Sequence, residues 1–113
     1  MENVIESKSF AFAIRIVNLY KFLLTKSEYV LSKQILRSGT SIGANIAEAE
    51  QAQSRPDFVS KMNIALKELS ETKYWLKLLH ATDYISKEEK ASILNDCIEI
   101  EKILVSIIKS SRQ

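Results

Sequence analysis

The chain has 113 residues, of which 46% are hydrophobic, and carries a net charge of +2 with two glycines and one proline. This composition excludes a disordered chain, and the length predicts a single domain over residues 1–113. The mixed, charged N-terminus excludes a secretory signal peptide, and no apolar run approaches the roughly 18 residues of a membrane span. A lone cysteine, Cys97, excludes an internal disulfide. We therefore expect a cytoplasmic protein with no membrane partner.

The first predicted helix covers about residues 5–26 and is apolar on nearly every side. One face, at helical spacing, carries Phe10, Ala13, Ile14, Val17, Tyr20 and Leu24. Other apolar residues lie off that face, namely Phe12, Ile16, Leu19, Phe22 and Leu23. Because a bundle cannot cover every side of one of its own helices, this pattern predicts self-association or a partner. If Leu19 or Phe22 faces a neighbouring subunit, its exchange for Glu should split the assembly.

The second predicted helix covers about residues 31–52 and contains both glycines of the chain. Its main apolar face carries Leu31, Ile35, Ile42, Ile46 and Ala49. Gly39 and Gly43 are four residues apart and therefore lie on one side of the helix. Each glycine in a helix interior costs roughly 1 kcal/mol relative to alanine. We therefore expect a neighbouring helix to approach this side closely.

A polar strip follows another side of the second helix, where Gln34 and Ser38 also lie. The strip consists of Arg37, Ser41, Asn45 and Glu48. Because Ser and Asn are poor helix formers unless a packing or hydrogen-bond task needs them, we expect the strip to meet another helix and to satisfy buried polar groups there. An ion pair between Arg37 and Glu48 is part of this prediction. The alternative is that the strip contacts a ligand or RNA.

The third and fourth predicted helices each begin at a recognisable capping residue. Ser54 is the predicted N-cap of a helix that ends near residue 81, and Ser86 with Glu89 has the spacing of a capping box. The expected core residues of the third helix are Phe58, Met62, Ala65, Leu69 and Leu76. Those of the fourth helix step by 4, 3, 4 and 3 through Ile93, Cys97, Ile100, Leu104 and Ile107. Three short connections between four long helices predict an all-α, antiparallel up-down-up-down four-helix bundle.

Catalytic, metal and cofactor sites find little support in the sequence. The only histidine, His80, follows Lys77 by three residues, so the Glu-x-x-His pairs of di-iron bundles are absent. Helical-bundle ribonucleases carry an arginine a few residues before the catalytic histidine, but none of the six residues before His80 is an arginine. The chain also has no Gly-rich phosphate loop. We predict no catalytic residues, no metal and no cofactor, and a hydrolase or nuclease is the least favoured alternative.

The positive charge is concentrated in the first third of the chain, with six basic residues against one acidic residue between positions 8 and 37. The predicted basic face consists of Lys8, Arg15, Lys26, Lys33 and Arg37. A face of this kind favours binding to RNA or DNA, although a solvated helix surface explains the same charges. We expect weak, salt-sensitive binding without strong sequence preference.

The stretch RSGTSIGANIAEAE at residues 37–50 resembles the signature of a bacterial four-helix-bundle family, the 23S rRNA intervening-sequence proteins. Ala49 stands where that family usually has Gly, and Asp83 replaces the Gly of its Gly-Tyr-Ile turn. Residues 57–69 resemble the third helix of the family. The signature positions matched here are Arg37, Ser41, Ile42, Asn45, Ile46, Ala47 and Glu48.

The resemblance implies a bundle fold and no established enzymatic activity, in a family encoded within insertions of 23S ribosomal RNA genes or elsewhere in bacterial genomes. Related members include the accessory variability protein of diversity-generating retroelements, which resembles a ring of five bundles with a basic surface and works with a reverse transcriptase and RNA. On this basis we expect a homo-oligomer, specifically a pentamer. The leading hypothesis is a non-enzymatic bundle that binds nucleic acid or a nucleoprotein partner. The alternative is a structural or protein–protein adaptor that binds no nucleic acid.

Overall fold

The computed structural model describes residues 3–112, which form four α-helices joined by short turns. The helices are α1 (Val4–Thr25), α2 (Leu31–Ala49), α3 (Arg55–Ala81) and α4 (Lys87–Ser111). Each helix packs against its neighbour in sequence, and α1 also contacts α4, which closes a bundle of 45 × 23 × 21 Å. The predicted all-α, antiparallel up-down-up-down bundle is confirmed.

The second helix ends three residues earlier than the sequence predicts. After Ala49, the N–H groups of Glu50, Gln51 and Ala52 bond to carbonyls three residues back, so the chain tightens into a turn before α3 begins. The caps of α3 and α4 follow the prediction. The Ser54 side chain accepts from the N–H of Asp57, and Ser86 and Glu89 form a reciprocal capping box.

The side of α1 that packs into the core is not the face that carries Phe10 and Ile14. It is the side formed by the apolar residues off that face. The buried hydrophobic residues of this helix are Ile5, Phe12, Ile16, Leu19 and Leu23. Phe10 and Ile14, on the face with the cleaner helical period, are instead 68% and 51% exposed. Leu19 lies in the core, so of the two residues considered for contact with a neighbouring subunit only Phe22 is exposed.

The two glycines of α2 allow α1 to approach closely, as expected. A Cβ atom at Gly39 would lie 2.8 Å from both Cγ1 and Cγ2 of Ile16. A Cβ atom at Gly43 would lie 3.4 Å from the carbonyl oxygen of Ser9. Gly39 therefore helps to determine which face of α1 is buried, because Ile16 fits against α2 only where a side chain is missing, while Gly43 brings the two backbones close together.

Several details of the core differ from the sequence prediction, and Leu31 and Phe58 are only partly buried against it. Ser38 is fully buried, and the Thr72 hydroxyl on α3 donates to its Oγ across 2.9 Å. In α4 the last buried position is Ile108, while Ile107 packs at the edge of the core. Ser38 lies three residues after Ile35 and four before Ile42, so its spacing matches the apolar face although its chemistry does not.

The turns at one end of the bundle use left-handed residues to end α1 and α3. Ser27 has φ 59° and Asp83 has φ 68°. After α1, the N–H of Glu28 bonds to the carbonyl of Leu23, and the same pattern joins Tyr84 to Leu79 after α3. The position of Asp83 is one where glycine is favoured, because a left-handed backbone is strained for residues with a side chain.

Candidate nucleic-acid interface

Two residues of the predicted basic face, Lys8 and Arg15, are paired with acidic residues of α4. The Lys8 ammonium forms an ion pair with Glu99. The Arg15 guanidinium lies 2.8 Å from an Asp96 carboxylate oxygen and donates to the Ser92 hydroxyl at 2.6 Å. Both cations are thus partly neutralised by pairing across the α1–α4 boundary, while their side chains remain 41% and 38% exposed.

A groove lies between α1 and α4 beside these ion pairs. Its volume is about 310 Å³, and Phe12 and Ile100 contribute apolar walls. The contact between α1 and α4 is the smallest of the four helix contacts, which leaves room for this groove. The two ion pairs therefore bridge the loosest boundary of the bundle.

The other three residues of the predicted basic face, Lys26, Lys33 and Arg37, are exposed. Lys26 follows the last residue of α1, and its ammonium lies 5.5 Å from the ring centroid of Phe22. None of the three forms an ion pair with any residue between positions 3 and 112. The structure thus separates the predicted basic face into a paired half and an exposed half.

The polar strip of α2 makes most of its hydrogen bonds within its own helix. The Ser41 hydroxyl donates to the carbonyl of Arg37 at 2.6 Å, and the Asn45 amide donates to the carbonyl of Ser41 at 2.8 Å. Glu48 lies 3.4 Å from the Lys61 ammonium on α3, rather than pairing with Arg37. Whether the strip contacts a ligand or RNA stays a prediction. The buried polar contact between α2 and α3 is made instead by Ser38.

The outward face of α1 carries apolar side chains that the bundle leaves exposed. Phe10 and Ile14 lie one helical turn apart, and Val4 and Phe22 are exposed on the same helix. Burying a large apolar side chain contributes roughly 1.5–3 kcal/mol, so a row of this size favours contact with another surface.

The single cysteine of the chain is buried in the core. Burial raises the pKa of the Cys97 thiol to about 12, so the thiol stays protonated and unreactive at neutral pH. Within residues 3–112, no cluster of His, Cys, Asp and Glu side chains is suited to a metal ion. No helix in the same range combines the length and hydropathy that crossing a membrane requires.

Comparison with known proteins identifies relatives over almost the whole chain. The family described as 23S rRNA-intervening sequence protein matches residues 1–106. A crystal structure from Bacteroides thetaiotaomicron, of a protein with unknown function from the S23 ribosomal protein family, is 66% identical and superposes with a TM-score of 0.92. That alignment covers 93% of this chain and 98% of the other. No curated protein sequence matches. The signature in α2 and the bundle fold therefore have one explanation, which is that this chain belongs to the 23S rRNA-intervening sequence protein family.

Proposed function

We propose that this protein is a cytoplasmic, non-enzymatic helical bundle that assembles into a homo-oligomer and binds nucleic acid. The observation that carries the assembly is the exposed apolar face of α1, centred on Phe10 and Ile14. The proposed binding of nucleic acid rests on three exposed cations, Lys26, Lys33 and Arg37. The descriptions of the family and of the related crystal structure name no enzyme.

The assembly follows from the position of α1 at the side of the bundle. Its inner face is packed on α2 and α4, so the outward residues can be covered only by another molecule. A second copy supplies an apolar surface of the same kind in equal amount. If the α1 faces of two copies met each other, the contact would close as a dimer, so a ring requires this face to meet a different surface of the next subunit. The resemblance described above favours such a ring of five subunits.

Light scattering tests the assembly at micromolar concentration. We expect a particle mass of five subunits of 12.9 kDa. The double exchange Phe10→Glu and Ile14→Glu should yield monomers of unchanged helicity, because both side chains lie outside the core. Tyr74→Glu is the matched control, since Tyr74 on α3 is similarly exposed at 58% and should leave the mass unchanged. A wild-type monomer would contradict the proposal.

Nucleic acid binding relies on the cations that lie outside the ion pairs with α4. Lys26, Lys33 and Arg37 point to solvent near the α1–α2 turn, where a phosphate backbone can reach them. A single subunit offers few contacts, but repetition in an oligomer raises the affinity through effective concentration. The binding should weaken steeply with salt because it displaces counterions from the phosphates.

Fluorescence anisotropy with labelled RNA and DNA, at low and at physiological salt, tests this part of the proposal. Exchange of Lys26, Lys33 and Arg37 for Glu should abolish binding. The matched control exchanges Lys8 and Arg15 for Gln, which should alter binding little, because those cations already face Glu99 and Asp96.

The pairing of Lys8 with Glu99 favours a second candidate function. This ion pair and the pair between Arg15 and Asp96 neutralise two of the five predicted cations. The basic area that remains is smaller than the sequence predicts. The protein is then a structural or protein–protein adaptor without a role in nucleic acid binding. Wild-type protein that assembles but fails to bind RNA or DNA at low salt would favour this adaptor function.

A further inference from the structure

The turn between α1 and α2 exposes an aromatic and an aliphatic side chain together. Tyr29 is 56% exposed and Val30 is 68% exposed, although both are large and apolar. Lys26 precedes them at the end of α1, and Lys33 follows in the first turn of α2. We call these four residues, Lys26, Tyr29, Val30 and Lys33, the α1–α2 tip.

The single acidic residue of this turn, Glu28, is turned inward and bonds to backbone N–H groups rather than to either lysine. Glu28 is only 7% exposed, and its carboxylate accepts from the N–H of Ser32 at 2.6 Å and from the N–H of Val30 at 3.4 Å. The outward charge of the tip therefore comes from Lys26 and Lys33. Because Glu28 occupies the N-terminal donors of α2, an incoming phosphate would meet the lysines rather than the helix terminus.

The turn holds Tyr29 at a defined place. Glu28 donates its N–H to the carbonyl of Leu23 at 3.0 Å, and Ser27 donates to Leu24 at 3.0 Å, so the chain is fixed immediately before Tyr29. The ring of Tyr29 has no aromatic partner within residues 3–112, whereas the comparably exposed Tyr74 packs edge-on against Trp75 at 5.1 Å. The Tyr29 ring, which is 56% exposed, is thus available to a planar ligand.

An accessible aromatic ring between two cations is the arrangement by which proteins bind single-stranded nucleic acid. The ring stacks on an unpaired base while the cations contact the neighbouring phosphates. Bases in a duplex are already stacked on each other and cannot reach the ring without unpairing. Two apolar side chains also provide too little area for insertion into a membrane, so the lysines and the ring favour nucleic acid over a lipid surface.

We propose that the α1–α2 tip is a stacking site for an unpaired base of RNA or DNA, with Tyr29 as the platform and Lys26 and Lys33 on the flanking phosphates. This inference rests on the proposed function and identifies where and in which form nucleic acid binds. The tip is compatible with the proposed assembly. Ile14 lies twelve residues before Lys26, or roughly 18 Å along the helix, so the tip is separate from the contacts proposed for Phe10 and Ile14.

Anisotropy titrations with the full-length protein test the site, with a labelled single strand and its duplex as probes at low salt. We expect the single strand to bind more tightly than the duplex. Tyr29→Ala should weaken single-strand binding about tenfold or more, within the range of stacking losses seen on removal of one aromatic platform. Tyr29→Phe should keep the affinity, because stacking needs the ring and not the hydroxyl. Tyr74→Ala is the control of equal exposure and should also keep it.

The possible failures separate this site from the proposed function. If the wild type binds with strong salt dependence but Tyr29→Ala binds equally well, the stacking site is wrong while nucleic acid binding stands. Duplex binding as tight as single-strand binding would also overturn the site. If the wild type binds neither probe at low salt, both proposals fail together. Circular dichroism and light scattering on each variant ensure that a loss of binding is not a loss of folding or assembly.

Discussion

The two glycines of α2 differ in their surroundings although they lie one turn apart. Gly39 faces the fully buried side chain of Ile16, while Gly43 faces the backbone of Ser9 at a longer distance. A methyl group at Gly39 would overlap with two branches of a side chain that has no space to move. A methyl group at Gly43 would reach an ordinary contact distance.

Alanine at the two glycines should therefore have different effects on stability. Gly39→Ala is expected to lower the free energy of unfolding by about 1–3 kcal/mol through overpacking, offset in part by better helix propensity. Gly43→Ala should be neutral or stabilising by up to about 1 kcal/mol. Urea unfolding of both variants measures the difference. Equal stability of the two would mean that Ile16 repacks freely.

At the scale of whole helices, the caps of α3 and α4 and most core positions of α2, α3 and α4 were predictable because their signals are local. Ser54 lies within one turn of the N–H that it accepts from, so sequence alone identifies it. The buried face of α1 was not predictable, because both faces are apolar and the choice depends on glycines of another helix. The pairing of Arg15 was equally hidden, since Asp96 lies 81 positions away and the contact needs the register of α1 against α4.

The start of α2 uses an unusual cap that makes its stability depend on pH. Val30, the N-cap residue, has no capping hydrogen bond from its own side chain, and Glu28 takes its place. Burial acts to raise the pKa of Glu28, but the N–H groups of Ser32, Leu31 and Val30 outweigh it and hold the pKa below its usual value. The ionised form is thus favoured in the folded state.

Because the pKa of Glu28 is lower in the folded than in the unfolded chain, ionised Glu28 stabilises the fold at pH values above the unfolded pKa, near 4.5. This stabilisation is lost as the pH falls below that value. Glu28→Gln should lower the free energy of unfolding by about 1 kcal/mol at neutral pH, as for loss of a cap. The difference from wild type should shrink between pH 5 and pH 3 (both approximate bounds set by the unfolded carboxyl). Ser32→Ala removes one side-chain hydrogen bond to Glu28 but keeps the backbone donors, so it should reduce the pH dependence without abolishing it. A difference that persists unchanged at low pH would contradict this role of Glu28.

For the molecule as a whole, the four helices are not equally held. α2 has the most extensive packing, against both α1 and α3, while α1 and α4 meet along a groove bridged by ion pairs. The ammonium of Lys8 and the guanidinium of Arg15 are both well exposed, and exposed ion pairs contribute little, at most about 1 kcal/mol each. The α1–α4 boundary is therefore the place where an isolated subunit opens first.

Hydrogen exchange should reveal this order and its dependence on assembly. In the monomeric variant with Phe10→Glu and Ile14→Glu, amides of α1 and α4 are expected to exchange faster than those of α2 and α3. In the wild-type oligomer, α1 should be as protected as α2, because a neighbouring subunit covers its outward face. Fast exchange of α1 in an assembled wild type would mean that the subunits meet through another surface.

The short turns between consecutive helices also bear on how the chain reaches this structure. Every helix packs on the one made just before it, so most contacts join residues that are close in sequence, and only the α1–α4 boundary joins the two ends of the chain. Chains with contacts of this kind search little conformational space and typically fold within microseconds to milliseconds. The α1–α2 hairpin, with its fixed turn, can form before α4 has left the ribosome, so we expect the docking of α4 on the open side of α1 to come last.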